Sequence, residues 1–382
     1  MSRRVMMTKR VGCYSAILLA GAAGCADGGP DIETEEEESG EIVVDVGEAP
    51  PSGKPAAYHE PVYVTLVRRS APSEFTSRMV SDLEAWHLYR ESVILTTLVA
   101  SQYQAKLHFQ VDEHVVVAAN RFEQGEWLSP WTGELDVLTW QHFVYGVEID
   151  PRATGQQFNH ADLAHLLSGH GIESHVISGL PTVACSGAEL GASAWIDSLG
   201  LVDGRIRGNV FEEAEFEPRI LHGVTGGGGI KAGEYSSGVW HPGDGKEFAD
   251  ISAEGPLLYI GEGQARAAYL DVRLGQSSPS QALASIRGLV ELNESGALGA
   301  GLYTAALEIP DLPGEDIYVD AMRLSEVLRE LRTLVDERKI VFATLPEIEE
   351  AFRARGSQPS RLGPLESPWR GAFIQAQAGA CE

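Results

Sequence analysis

Strand-like and helix-like patterns of apolar residues alternate along the chain between residues 60 and 355. Residues 61–67 form a short run rich in β-branched and aromatic side chains, which is typical of a β-strand. From residue 105 to 111 apolar and polar residues alternate, which predicts a second strand. Between residues 320 and 337 leucine and valine recur at helical spacing. This last pattern predicts an amphipathic helix near the end of the domain.

The same patterns predict the remaining elements. Further strands are expected at 147–149, 175–177, 256–260, 301–309 and 339–344. Helical segments are expected at 74–103, 115–122, 135–145, 160–167, 280–292 and 345–355. The glycine-rich stretch 182–256 has no clear pattern and is expected to be irregular. Strands that alternate with helices over this length predict one α/β domain with a mostly parallel sheet, and in a barrel the site would lie at the C-terminal strand ends.

The N-terminus has the pattern of a bacterial lipoprotein signal over residues 1–24. Its basic residues, with no acidic residue among them, are Arg3, Arg4, Lys9 and Arg10. The apolar run 16–23 is too short to span a bilayer, which takes about 20 residues. Small residues stand directly before Cys25, which predicts cleavage there and a lipid on the Cys25 thiol. We therefore expect an exported protein, anchored to a membrane of the bacterial cell envelope through that lipid.

The charge of the chain is strongly negative, with a formal net charge of -26. Because clustered Lys and Arg side chains are what bind phosphate groups, this charge argues against nucleic acid as a partner. Residues 25–57 are acidic and contain proline and glycine, which predicts an extended tether. The folded domain is then expected over 58–356, followed by a C-terminal extension over 357–382.

Four cysteines are present, and Cys13 would leave with the signal. With Cys25 lipidated, Cys185 and Cys381 remain. In an exported protein such a pair predicts a disulfide, which would pin the C-terminal extension to the middle of the fold. The alternative is two free thiols.

Three segments resemble the polysaccharide deacetylase (NodB-like) carbohydrate esterases. Residues 62–67 resemble the first strand of that group, residues 146–151 the strand that runs into its histidine motif, and residues 337–348 the end of its barrel. The resemblance implies a distorted (β/α) barrel that acts on carbohydrate. Active members hold a divalent metal with one aspartate and two histidines, and a second aspartate acts as the base.

The chain departs from that group at the metal motifs. The first strand ends in Arg68 and Arg69 where aspartates would follow, and Arg152 comes shortly after Asp150 where a histidine would fall. Arginine cannot ligate a metal ion, although Arg68 and Arg152 could replace its charge and bind substrate. No catalytic residue is therefore carried over. Zinc would be a cofactor only through displaced ligands, and a degenerate site is expected.

Other residues could carry chemistry by themselves. Glu148 and Asp150 straddle Ile149 on one predicted strand, so both side chains would lie on one face as an acid/base pair for glycoside hydrolysis. Asp150 before Pro151 also suits a plain turn. His160 is the best placed histidine for a metal site, but the five-residue spacing to His165 does not put the two on one helix face.

Two aromatic residues suggest a carbohydrate contact. Trp240 and His241 lie in the glycine-rich region, where rings over a cleft could stack on sugars or could anchor a loop. The first functional hypothesis is an exported lipoprotein that binds an envelope or extracellular carbohydrate with a degenerate deacetylase-like domain. The alternatives are an active carbohydrate hydrolase and a structural or adhesion lipoprotein without a ligand.

Overall fold

The computed structural model describes residues 59–69, 74–122, 144–150, 158–177, 201–222, 237–242, 251–252, 255–261, 279–310 and 317–362. All of them belong to one compact unit, Ala57–Glu382. The predicted signal and tether, all four cysteines and Arg152 lie outside the described residues. Within the described residues, no helix combines the length and the apolar character needed to cross a membrane.

The elements alternate between strand and helix over much of the domain. The strands are β1 (Val62–Arg69), β2 (Leu107–Asp112), β3 (Val144–Asp150), β4 (Val176–Ile177), β5 (Ile206–Arg207), β6 (Glu215–Phe216), β7 (Ile220–His222), β8 (Ser237–Pro242), β9 (Ile251–Ser252), β10 (Leu258–Ile260), β11 (Thr304–Pro310), β12 (Ile340–Phe342) and β13 (Ser360–Leu362). The helices are α1 (Glu74–Met79), α2 (Leu83–Gln102), α3 (Glu113–Phe122), α4 (His160–Ser168), α5 (Pro279–Glu294), α6 (Ile317–Asp336) and α7 (Leu345–Ala354).

One large sheet organises the domain, and its strand order is β11-β1-β2-β3-β4-β7-β10-β8-β13. Every neighbouring pair from β11 to β10 is parallel. Strand β12 also pairs in parallel with β1, whereas β8 runs antiparallel to β10, β13 and β9. The prediction of an α/β domain with a mostly parallel sheet is therefore confirmed.

Serine hydroxyls connect the two ends of this strand order. Ser237 on β8 donates to the Thr304 carbonyl at 2.7 Å and accepts from the Thr304 N–H at 2.9 Å. Ser360 on β13 makes the same pair of bonds with Leu302, at 2.6 and 3.0 Å. The backbone pairs of the described strands do not form a closed ring, and side-chain bonds join β8 and β13 to the chain around β11.

The two faces of the sheet pack against different helices. One face, called the outer face here, carries Val64, Leu66 and Phe109. These side chains are fully buried in two clusters together with residues of α1–α6. The opposite face, called the inner face, carries Ile220 and other apolar residues that pack against α7. Helix α7 begins with a capping box between Thr344 and Glu347, and it buries Leu345, Ile348 and Phe352.

Several predicted elements need correction. The segment 182–256 was expected to be irregular, but strands β5–β9 lie in its described parts and β7 and β8 belong to the main sheet. The predicted helical segment 74–103 is two helices, because the Asp82 side chain caps α2 by accepting from the N–H groups of Glu84 and Ala85. The predicted helix 135–145 is wrong at its end, where β3 begins at Val144, and its remainder lies outside the described residues.

Candidate functional site

Strand β2 is buried on both faces, and the inner face is polar. Its inward residues are His108, Gln110 and Asp112, with exposed fractions of 0%, 2% and 2%. His222, at the C-terminal end of β7, is 1% exposed and follows inward-facing Ile220 by two residues. Because burying polar groups is unfavourable unless they are hydrogen-bonded, such a row on one sheet face marks a candidate site.

The deepest of these residues has a structural partner. The Nε2 atom of His108 accepts a hydrogen bond from the backbone N–H of Leu345 at 3.0 Å. This contact fixes the start of α7 against the inner face of the sheet, and it requires the proton of a neutral ring to be on Nδ1. Gln110, Asp112 and His222 lie nearer the C-terminal edge of the strands, where sites of parallel α/β proteins are found.

Asp112 lies at the junction of β2 and α3. Its Oδ1 atom accepts from the Val115 N–H at 3.0 Å and so caps the helix. Its Oδ2 atom is 3.3 Å from Nδ1 of His114, and Nε2 of His114 is 3.4 Å from the hydroxyl of Ser77 on α1. Serine, histidine and aspartate thus lie in a row at this edge of the sheet.

Glu113 lies between Asp112 and His114 in the chain and is 8% exposed. Burial raises the pKa of its carboxyl; the nearby His114 opposes the rise and Asp112 adds to it. Among the described residues, Oε2 of Glu113 has no hydrogen-bond partner. The C-terminal end of β2 therefore holds two buried carboxyl groups beside one histidine.

Arg68, predicted as a substrate-binding residue, lies on the outer face of the sheet. Its guanidinium donates to the carbonyl and hydroxyl of Ser92 at 3.0 and 2.6 Å and to the Thr96 hydroxyl at 2.5 Å. It also lies over the Tyr89 ring, 5.6 Å from the centroid. These contacts join β1 to α2, and a role of Arg68 in binding substrate stays a prediction.

For the two predicted catalytic acids, Glu148 and Asp150, the structure describes only the backbone of β3. Asp150 is the register partner of Asp112, and Glu148 pairs with Gln110 on one side and Val176 on the other. Both residues are thus register neighbours of the polar residues Gln110 and Asp112 on β2. Arg152 lies outside the described residues.

His160, the predicted metal ligand, is the first residue of α4 and is 3% exposed. His165, in contrast, is exposed and packs its ring on Phe211, so the two histidines have different surroundings. Within the part of the chain that the structure describes, no three histidine, cysteine, aspartate or glutamate side chains are grouped so as to hold a metal ion. These residues do not fit the metal centre that the deacetylase resemblance implies, and zinc binding by His160 stays a prediction.

The predicted aromatic contacts have partners within the protein. Trp240 is fully buried, and its ring lies 4.4 Å from that of Tyr259 in the outer core. His241 is half-buried, with Nδ1 2.9 Å from the Leu257 carbonyl. The placement of Trp240 favours the alternative in which the ring anchors the fold, because the ring packs in the outer core, on the face of the sheet opposite the polar row.

Ser77, His114 and His222 were not predicted as candidates, and Gln110 was predicted only as a polar residue of an alternating strand. A signal was present, since Asp112, Glu113 and His114 directly follow a strand. Ser77 had no such signal, because only the packing of α1 brings it to His114.

Comparison with known proteins finds a distant structural similarity. No family model matches the chain, and no curated protein matches it. Among solved structures, a GH57 branching enzyme from the hyperthermophilic archaeon Thermococcus kodakaraensis, determined in complex with glucose, is similar at a TM-score of 0.36 and 10% sequence identity. The match covers 76% of this chain and 71% of that one. The resemblance to polysaccharide deacetylases receives no specific support from these comparisons.

Proposed function

We propose that this protein is an exported lipoprotein of the bacterial cell envelope whose α/β domain binds carbohydrate at the C-terminal edge of its parallel sheet. The observation that carries the proposal is the buried polar row on the inner face, formed by Gln110, Asp112 and His222. An amide, a carboxylate and an imidazole together supply both donors and acceptors. A hydroxyl-rich ligand needs that mixture, and sites in this fold class lie at this edge.

The proposal includes a distorted (β/α) barrel as the architecture around the site. The hydrogen bonds of Ser237 to Thr304 and of Ser360 to Leu302 bring the two ends of the strand order together, which supports this architecture. A curved sheet of this kind would turn the inner face, with its polar row, toward a central space lined by several strands.

A glycan array followed by calorimetry on the strongest hits tests carbohydrate binding, using the full chain extracted from membranes. Gln110→Leu is expected to weaken binding at least tenfold, since it removes the amide and keeps the approximate volume. Gln102→Leu, at the exposed end of α2, is the matched control and should bind as the parent does. A folded parent that binds no glycan, or Gln110→Leu with undiminished binding, would overturn the proposal.

Membrane anchoring rests on the sequence around Cys25 and has its own test. Cys25→Ala should move the protein from the membrane fraction to the soluble fraction, or leave it with an uncleaved signal. Cys13→Ala is the control, because Cys13 leaves with the signal. Mass spectrometry of the mature N-terminal peptide should find the lipid on Cys25, and an unmodified peptide would contradict this part of the proposal.

A hydrolase acting on carbohydrate is the second candidate, favoured by the register of β3 with β2. Asp150 pairs with Asp112, so two acidic residues occupy neighbouring positions at the edge of the sheet. An enzyme of this kind would release acetate or reducing ends from a bound glycan. Asp150→Asn should then abolish release and leave glycan binding in place, whereas a parent that binds without any release is a binding protein only.

A further inference from the structure

We infer that Ser77, His114 and Asp112 form a nucleophilic site that hydrolyses carboxylic esters. Oγ of Ser77 lies 3.4 Å from Nε2 of His114, and Nδ1 of the same ring lies 3.3 Å from Oδ2 of Asp112. The order of the atoms is the one that serine hydrolysis requires: hydroxyl, base, and an acid that orients the base. This inference goes beyond the proposed binding function and does not depend on it.

The three residues differ in their exposure to solvent, as the reaction requires. Ser77 is exposed, so a substrate can reach its hydroxyl. The His114 side chain is 9% exposed and that of Asp112 is 2% exposed, so their contact is shielded from water. Shielding strengthens the attraction between the carboxylate and the imidazolium that forms when the ring takes a proton.

Separate elements hold each member of the row in place. Asp112 is fixed at the end of β2 because its second oxygen, Oδ1, accepts from the Val115 N–H at 3.0 Å. His114 stands in the first turn of α3, two residues after Asp112, and α1 packs across α3 to present Ser77. The contacts of His114 with Asp112 and with Ser77, at 3.3 and 3.4 Å, are long for hydrogen bonds. Such contacts tighten in active sites when substrate binds.

The reaction balances with no co-reactant except water. With the ring proton on Nδ1 and directed at Asp112, Nε2 of His114 takes the proton of the Ser77 hydroxyl while Oγ forms a bond to the ester carbonyl carbon. The bond from that carbon to the alcohol oxygen then breaks, and the alcohol leaves with the proton from Nε2. Water attacks the acyl-serine by the same route, which releases a carboxylic acid and restores Ser77.

The charge near the row selects among esters. Asp112 and Glu113 both lie beside His114, and the chain carries a net charge of -26. An acyl group that bears its own carboxylate would be repelled there. The substrate class is therefore an ester with an uncharged acyl group, and an acetyl ester should be cleaved faster than a succinyl hemiester.

Hydrolysis of p-nitrophenyl acetate by the full chain, together with labelling by a fluorophosphonate, tests the inference. The label should attach to Ser77, as located by peptide mass spectrometry. Ser77→Ala should lower the rate at least a hundredfold and abolish labelling, and His114→Gln and Asp112→Asn should lower both. Ser81→Ala is the matched control, because its hydroxyl is exposed and donates to the Arg78 carbonyl at 3.3 Å, and this variant should behave as the parent.

The outcomes separate this inference from the proposed function. Labelling that misses Ser77 in the folded parent, or a Ser77→Ala rate equal to that of the parent, overturns the ester-hydrolysis inference whatever the glycan array finds. Ser77-dependent hydrolysis in a protein that binds no glycan supports the inference and removes the binding proposal. Urea denaturation of each variant distinguishes loss of chemistry from loss of fold, and the labelling of the parent requires no variant at all.

Discussion

The carboxylate of Asp162 accepts a hydrogen bond at 3.0 Å from the backbone N–H of Asn209, which lies 47 residues further along the chain. It also accepts from the N–H groups of Val210 and Phe211, at 3.0 and 2.9 Å. A fourth bond, from the Asn159 N–H at 2.9 Å, caps the helix α4 to which Asp162 belongs. One fully buried side chain thus fastens α4 to the loop between β5 and β6.

Replacing Asp162 with alanine should destabilise the domain by about 3 kcal/mol, because four N–H groups would lose a charged acceptor that is itself fully buried. The free energy of unfolding in urea measures the effect. Glu212→Ala, at an exposed position of the same loop, should change that free energy by less than about 0.5 kcal/mol. If the two substitutions lowered the free energy of unfolding equally, the hydrogen bonds of Asp162 would contribute no more stability than an exposed loop residue does.

The serine bridges at the ends of the strand order give a second prediction. Ser237→Ala should lower the free energy of unfolding by about 2 kcal/mol, since both hydrogen bonds to Thr304 are lost from a buried position. Ser168→Ala removes a single bond to the His165 carbonyl on an exposed helix end and should have a small effect. Thermal unfolding followed by circular dichroism compares the two, and equal midpoints would show that the bridge is not stabilising.

The long elements could be predicted from the sequence because their signals are local. The leucine and valine periodicity predicted the helix 320–337, and α6 spans Ile317–Asp336. Strand β2 was predicted at 105–111 from its alternation and spans Leu107–Asp112. The short strands β5–β9 were missed, because they are stabilised by pairing with other strands and carry no clear alternation of their own.

The candidate site was less predictable, because a strand pattern gives alternation and not the surroundings of each face. His108 and Gln110 were predicted only as polar positions of an alternating strand, and the structure buries both. Arg68 was predicted to bind substrate because it follows an apolar run, and nothing in that run indicates its bonds to Ser92 and Thr96, 24 and 28 residues away. Ser77 and His114 meet only through the packing of α1 against α3.

The buried carboxyl of Glu113 should make the free energy of unfolding fall as the pH rises through mildly acidic values. Burial raises the pKa of this carboxyl above its usual value of 4.5, so the folded state holds the proton to higher pH than the unfolded chain does. Stability is then lost as pH rises from 4.5 through the raised pKa. Glu113→Gln should remove that loss and be more stable than the parent at pH 7, as measured by urea denaturation at several pH values.

The control for this prediction is Glu326→Gln, at an exposed position of α6. It should leave the pH dependence of the unfolding free energy as in the parent. A Glu113→Gln protein that is less stable than the parent at pH 7 would mean that the charged carboxylate has a favourable partner, contrary to the raised pKa.

Glu347 should have the opposite pH dependence, although it lies in the same domain. Burial alone would raise the pKa of its carboxyl, but hydrogen bonds from the Lys106 ammonium and from the N–H and hydroxyl of Thr344 outweigh burial and lower it. The stabilisation from a lowered carboxyl pKa is present above 4.5 and is lost as pH falls through the lowered value.

Lys106→Met should therefore reduce the loss of stability on acidification and lower stability at pH 7 by a small amount, because the Glu347 side chain is 44% exposed and solvent screens the pair. The measurement is the difference in unfolding free energy between pH 7 and pH 3. Glu350→Gln, on the exposed side of α7, should leave that difference as it is in the parent. If Lys106→Met also leaves it unchanged, the cap from Thr344 alone lowers the pKa, and the ion pair between β2 and α7 contributes no stability.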